Sequence, residues 1–146
     1  MKKIILFLVA GFFSLYFSGC MNIETEEVEE KSTELMLNLT SDASLDAHSS
    51  MMGLNLALTA VEEGIDVTVF MNVKGVKLML PGNDSINEPL LSVIKSIREE
   101  GGQIWACPMC MEATGVEKEM MPEYIQTSNP EMMMELIKKS PTVMTY

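Results

Sequence analysis

The segment DVTVFMN (66–72) restricts the possible folds more than any other part of the sequence, because it is rich in β-branched residues and carries apolar residues at both odd and even positions. Successive side chains of a β-strand point to opposite faces of a sheet, so this strand must be covered on both faces. Sheets that are buried on two sides are predominantly parallel and carry helices on each face. The segment therefore predicts an α/β domain.

Strand-like and helix-like segments alternate along the rest of the chain. The other predicted strands are ELMLNLT (34–40), QIWA (103–106) and PTVMTY (141–146). The predicted helices are 44–62 with Ser44 as its cap, 88–100, 107–114, and one that begins at Asn129-Pro130. Residues 78–89 carry turn signals and are expected to be irregular. This order favours a single domain, 34–146, with a mainly parallel sheet and helices on both faces.

The first 20 residues resemble a bacterial export signal. Two lysines precede an apolar stretch, Ile4–Phe17, which is shorter than the roughly 20 residues that a spanning helix needs. The last four of the first 20 residues, Phe17-Ser18-Gly19-Cys20, resemble a lipobox, so we expect residues 1–19 to be removed and Cys20 to be lipidated. The alternative is an ordinary signal with an incidental cysteine. Lipidation would place the protein outside the cytoplasm, anchored on the periplasmic or extracellular face of a bacterial membrane.

Acidic residues dominate the charge of this chain. The net charge is −11, and it becomes −13 once the two lysines of residues 1–19 are removed. Residues 20–33 are acidic and lack a regular apolar pattern, so we expect them to form a solvated tether. Nucleic acid is excluded as a partner, because binding it requires clustered basic residues that neutralise phosphates.

Two of the three cysteines lie in the sequence ACPMCMEATG (106–115), where a predicted strand meets a predicted helix. Reactive groups of parallel α/β sheets gather at this edge, and a helix start favours a thiolate. Cys110 lies nearly one helical turn after Cys107, within reach of a disulfide or of a shared metal ion. Cys107 and Cys110 are therefore the candidate catalytic residues.

Three interpretations of this motif remain open. The first is a redox or sulfur-relay thiol with a resolving neighbour. The second is a soft-metal site for Cu(I), formed by both cysteines with Met109 or Met111 as thioether ligands. The third is an interaction module in which a structural disulfide stabilises a helix. Zinc is disfavoured, because no second cysteine or histidine pair completes four ligands.

The order of motifs resembles the DsrE/DsrF-like family of small sulfur-relay proteins. The resemblance lies in LNLTSDASLDA, AVEEGIDVTVFMNVKGVKL, SIREEGGQIWAC and NPEMMMELIKKSPTVMTY. In that family a cysteine follows the third strand, with a glycine and a hydrophobic residue eight and nine positions later. Cys107, Gly115 and Val116 keep this spacing. The resemblance implies flavodoxin-like layering and a persulfide carried on Cys107.

The resemblance also implies a protein donor or acceptor of sulfur and a homo-oligomer, a trimer or a hexamer. No cofactor is predicted. Whether the chain is an enzyme is left open between a sulfurtransferase and a sulfur carrier. Cys110 departs from the carrier pattern of the family, and it could resolve, protect or block a persulfide.

The remaining candidates have simpler explanations. His48, the only histidine, is expected to be an ordinary helix residue rather than a partner of the thiol. Asp42 and Asp46 are expected to favour a helix start rather than to act as acid or base groups. The abundant methionines are expected to fill the core and subunit contacts.

Overall fold

The computed structural model of the protein describes residues 33–139 and 141–146. The predicted leader, the predicted lipidation site Cys20 and the predicted tether up to residue 32 lie outside the described residues. Among the helices that are described, none combines the length and the apolar character needed to cross a bilayer.

Five strands and four α-helices make up the described part of the chain. The strands are β1 (Glu34–Leu39), β2 (Asp66–Met71), β3 (Gln103–Ala106), β4 (Gln126–Thr127) and β5 (Thr142–Thr145). The helices are α1 (Ala43–Glu62), α2 (Asp84–Glu99), α3 (Pro108–Thr114) and α4 (Pro130–Lys138), with short 3-10 helices at Gly75–Met79 and Lys118–Met120. This alternation confirms the predicted fold class.

The strands form one parallel sheet in the order β4-β3-β2-β1-β5. Strand β2 is central, and its residues from Val67 to Met71 are all buried. The prediction from DVTVFMN is thereby confirmed, because consecutive residues of a strand can all be buried only if both of its faces are covered.

The two faces of the sheet are covered unequally. Helices α1 and α2, of 20 and 16 residues, cover one face and enclose the main core. Its fully buried side chains include Leu37, Leu54, Val69 and Ile94. On the opposite face, the nine-residue helix α4 places Leu136 against Met36, Phe70 and Trp105. The face under α4 is therefore less fully covered than the face under α1 and α2.

Several local expectations differ from the structure. Asp42, not Ser44, is the N-cap of α1, because its carboxylate accepts a hydrogen bond from the Ser44 N–H. Helix α2 begins at Asp84 rather than at Glu88, and the buried Asn87 fixes this earlier start by donating its side-chain N–H to the Leu80 carbonyl oxygen. The segment expected to be irregular contains part of a 3-10 helix, whose buried residues pack on the core.

Asp42 also holds the start of α1 to the loop that follows β2. Lys77 Nζ lies 2.7 Å from Asp42 Oδ2, and the Asp42 side chain is only one-tenth exposed. The hydrogen bonds from Lys77 and Ser44 lower the pKa of Asp42 from 3.8 to about 2. A lowered pKa means that the folded state favours the charged carboxylate.

We expect Asp42→Asn to lower the melting temperature by about 2–4 °C at pH 7. The contribution of the carboxylate is fully present above its ordinary pKa of 3.8 and is lost as the pH falls through about 2. The difference in melting temperature between Asp42→Asn and wild type should therefore narrow between pH 4 and pH 2, as measured by thermal unfolding followed by circular dichroism. The exposed Asp66, changed to Asn, is the control, and a difference that stays constant over this range would contradict the assignment.

Candidate functional site

Cys107 lies where β3 ends and α3 begins. It is the N-cap residue of α3, and its N–H donates to the Met71 carbonyl oxygen at 2.9 Å, which extends the pairing of β2 with β3. Pro108 follows at the first helical position, where an N–H is not required. The Cys107 side chain is partly buried and packs beside Met36, Phe70, Trp105 and Leu136.

Cys110 lies one turn into α3 and packs against the main core instead. Its Sγ accepts a hydrogen bond from the Val73 N–H at 3.1 Å. Burial raises the pKa of the Cys110 thiol, the hydrogen bond with the Cys107 side chain raises it further, and the Val73 N–H opposes this. The structure therefore brings the two predicted thiols together, and both are free.

The loop after β2 completes the surroundings of the thiols. The parallel pairing of β2 with β3 ends at Met71 and Ala106, and Asn72 and Cys107 are the next residues of the two segments. Asn72 donates its side-chain N–H to Asn38 Oδ1 at 2.7 Å, while its own Oδ1 is buried with no partner among the described residues. Val73 has a φ of 49°, in the left-handed region that β-branched residues avoid. Sequence reasoning missed both residues, although their position directly after an apolar strand was the available signal.

We expect Val73→Asn to stabilise the protein by about 1 kcal/mol, because asparagine adopts the left-handed conformation with less strain than valine. Little apolar burial is lost, since Val73 is 56% exposed. Urea denaturation measures the effect. Val143 is a matched control, because it is also 56% exposed but lies in β5. Val143→Asn should be neutral or destabilising, and a Val73→Asn variant no more stable than wild type would show that the loop is not strained.

The other candidate residues are distributed differently. Met109 is 78% exposed, whereas Met111 is buried in the main core. His48 is exposed on α1. Asp46 accepts a hydrogen bond from the Ser49 N–H at a kink in α1, so both aspartates support the start of this helix. Within residues 33–139 and 141–146, no group of three histidine, cysteine, aspartate or glutamate side chains is arranged to hold a metal ion.

The chain belongs to the DsrE/DsrF-like family, whose match spans residues 36–146. A relative is an uncharacterized protein of Methanopyrus kandleri, which is 27% identical over 107 residues, or 73% of this chain and 88% of that protein. The match to the family begins within β1 and includes Cys107, Cys110 and the whole of strands β2 to β5.

Two solved structures share the fold. The ychN protein of E. coli superposes with a TM-score of 0.58 at 16% identity, over 78% of this chain and 100% of that chain. A conserved protein of unknown function from Bacteroides thetaiotaomicron superposes with a TM-score of 0.59 at 21% identity, over 77% of this chain and 94% of that chain. The whole ychN chain thus corresponds to this one domain.

Proposed function

We propose that the protein is a thiol-based sulfur carrier in which Cys107 holds sulfur as a persulfide. The single observation that carries this proposal is the position of a free, partly exposed cysteine at the β3–α3 junction, beside a second free thiol. Membership of the DsrE/DsrF-like family supports it, because sulfur relay occurs in this family.

Loading requires one exchange of sulfur–sulfur bonds. The Cys107 thiolate attacks the outer sulfur of a donor persulfide, R–S–SH, and forms Cys107–S–SH. The S–S bond of the donor breaks, and the donor leaves as its thiolate. Cys107 lies at the N-terminus of α3, next to backbone N–H groups that have no partner within the helix.

Cys110 supplies a way to unload the carrier. Its thiolate can attack Sγ of Cys107 in the persulfide, which forms a Cys107–Cys110 disulfide and releases hydrosulfide. The raised pKa of Cys110 keeps it mostly protonated and slow to attack. The persulfide would then last until a partner lowers this barrier. After hydrosulfide is released, a reductant would restore both thiols.

The test is the intact mass of the chain from residue 21 onward, reduced and then treated with sodium disulfide. We expect a gain of about 32 Da, one sulfur atom, which dithiothreitol reverses. A separate treatment with Cu(I) distinguishes the soft-metal alternative. Failure to take up sulfur, combined with retention of Cu(I) that needs both cysteines, would replace the carrier with a metal-binding protein.

The N-terminal segment supports a location for this chemistry. Lipid on Cys20 and the acidic tether would hold the domain at the outer side of a bacterial membrane, close to donor and acceptor proteins. Metabolic labelling with a radioactive fatty acid tests the anchor. Label should be absent from a Cys20→Ala variant, and an unlabelled wild-type protein would contradict anchoring.

Self-association is the remaining part of the proposal. Met134 and Ile137 on α4 and Val143 on β5 are each more than half exposed, and the edge strand β5 offers unpaired backbone groups. We expect light scattering to give the mass of a trimer or a hexamer, and Ile137→Glu to reduce it. Leu45→Glu, on the exposed side of α1, is the control, and a monomeric wild-type protein would contradict this part.

A further inference from the structure

The space between α4 and the sheet contains a second site that is distinct from the thiols. A cavity of about 310 Å³ lies there, at the small end of the range for ligand sites. Its floor comes from four neighbouring strands and its roof from α4 and the residue after it. The floor residues are Glu34, Thr68, Gln103, Trp105 and Gln126, and the roof residues are Met132, Glu135, Leu136 and Lys139.

Trp105 lines this cavity and has a hydrogen-bond donor without a partner among the described residues. The residue is 5% exposed, and its Nε1 is buried with no partner among residues 33–139 and 141–146. A buried N–H without a partner costs about 1–3 kcal/mol, so an acceptor at this position stabilises the protein. The cavity therefore favours a ligand with an oxygen acceptor.

Glu34 leaves an acceptor unused on the same floor. Its side chain is 3% exposed, and Lys139 Nζ lies 3.2 Å from Oε2 without the geometry of a hydrogen bond. Lys139 donates instead to Oε1, at 3.5 Å. Lys139 thus forms an ion pair with this carboxylate, and Oε2 can accept a hydrogen bond from a further donor. A charged donor makes the stronger bond to a carboxylate.

The charges of the lining decide which donor fits. Glu34 and Glu135 carry two negative charges against one positive charge on Lys139, so the cavity favours a cation. Met132 and Leu136 add apolar surface beside the Trp105 ring. We infer that the cavity between α4 and the sheet binds a small organic amine that also carries a carbonyl or hydroxyl oxygen and an apolar group. Its ammonium group donates to Glu34, and its oxygen accepts from Trp105 Nε1.

Trp105 is the only tryptophan of the chain, so its indole N–H is a reporter at the site. Phenylalaninamide is the probe, and 3-phenylpropanamide, which lacks only the ammonium group, is the matched compound. The domain from residue 21 onward is titrated while the indole cross-peak is followed by ¹H–¹⁵N NMR. We expect a saturable shift with phenylalaninamide at concentrations up to about 10 mM and affinity at least about tenfold weaker for 3-phenylpropanamide.

Two variants test the role of the carboxylate. Glu34→Gln should weaken binding of phenylalaninamide by about tenfold or more, whereas Glu63→Gln removes an exposed charge outside the cavity and should leave it unchanged. Should Glu34→Gln fail to fold, Lys139→Met provides the second measurement. It removes the competing ammonium group and should tighten binding of the amine.

Three results would overturn the inference. They are no indole shift, equal responses to the two compounds, and a response that the charge variants leave unchanged. Quenching of Trp105 fluorescence by acrylamide distinguishes a second copy of the chain as the occupant. If protection of Trp105 from acrylamide increases with protein concentration, the cavity lies at a subunit interface. None of these results bears on sulfur loading at Cys107, whose readout is a mass.

Discussion

Replacing Cys107 by serine is expected to abolish sulfur loading. In intact-mass measurements after treatment with sodium disulfide, the gain of about 32 Da should disappear, because serine retains the shape of the side chain but provides no sulfur nucleophile. The fold should be little affected, since the Cys107 side chain is only partly buried and makes no capping hydrogen bond.

Cys110→Ser is the matched control for this variant, since it removes the neighbouring thiol of the same short helix. We expect it to load sulfur and to hold it longer than wild type, because the thiol that could release hydrosulfide is absent. Loading that survives in Cys107→Ser but is lost in Cys110→Ser would assign the carrier role to Cys110. Loss of sulfur loading in both variants would indicate that loading requires both thiols.

Gly75→Ala is expected to destabilise the domain by about 3 kcal/mol. Gly75 is buried at the start of the 3-10 helix, and a Cβ atom there would collide with the Leu39 carbonyl oxygen. Both groups belong to backbone that is fixed by other hydrogen bonds, including Asn72 N–H to Leu39 O at 3.0 Å and Gly75 N–H to Asn72 O at 2.8 Å. The collision cannot be relieved by the rotation of a side chain.

Urea denaturation measures this loss, and Lys74→Ala, an exposed neighbouring residue, should change the free energy of unfolding by less than about 0.5 kcal/mol. A displaced loop would also move the Val73 N–H away from Cys110. The rate at which a thiol reagent modifies Cys110 should therefore increase in Gly75→Ala. Wild-type stability in this variant would show that the loop relaxes readily.

The sheet could be predicted from the sequence because its long strands carry strong local signals. The segments 34–40, 66–72 and 103–106 all form strands, and each one leads into the next by way of a helix. Strand β4 could not be predicted, since two exposed residues, Gln126 and Thr127, contain no pattern that distinguishes a strand from a loop. Only their pairing with Trp105 and Ala106 defines them as part of the sheet.

The candidate site was predictable in part. The spacing of Cys107 and Cys110 placed both thiols at the start of one short helix, which the structure confirms. The contact of Cys110 with Val73 joins residues 37 positions apart and has no local signal. The role of Cys107 as a sulfur carrier stays a prediction that the mass measurement tests.

The sequence by itself determined the class of fold, the order of the helices and of every strand except β4, and the junction that carries the thiols, because each of these follows from patterns within about 20 residues. The tertiary structure alone decided which strands are neighbours, which core each thiol contacts, and that Glu34 and Trp105 line one cavity. These relations depend on packing between residues as far apart as Glu34 and Lys139, and side chains brought together by a sheet leave no trace in local periodicity.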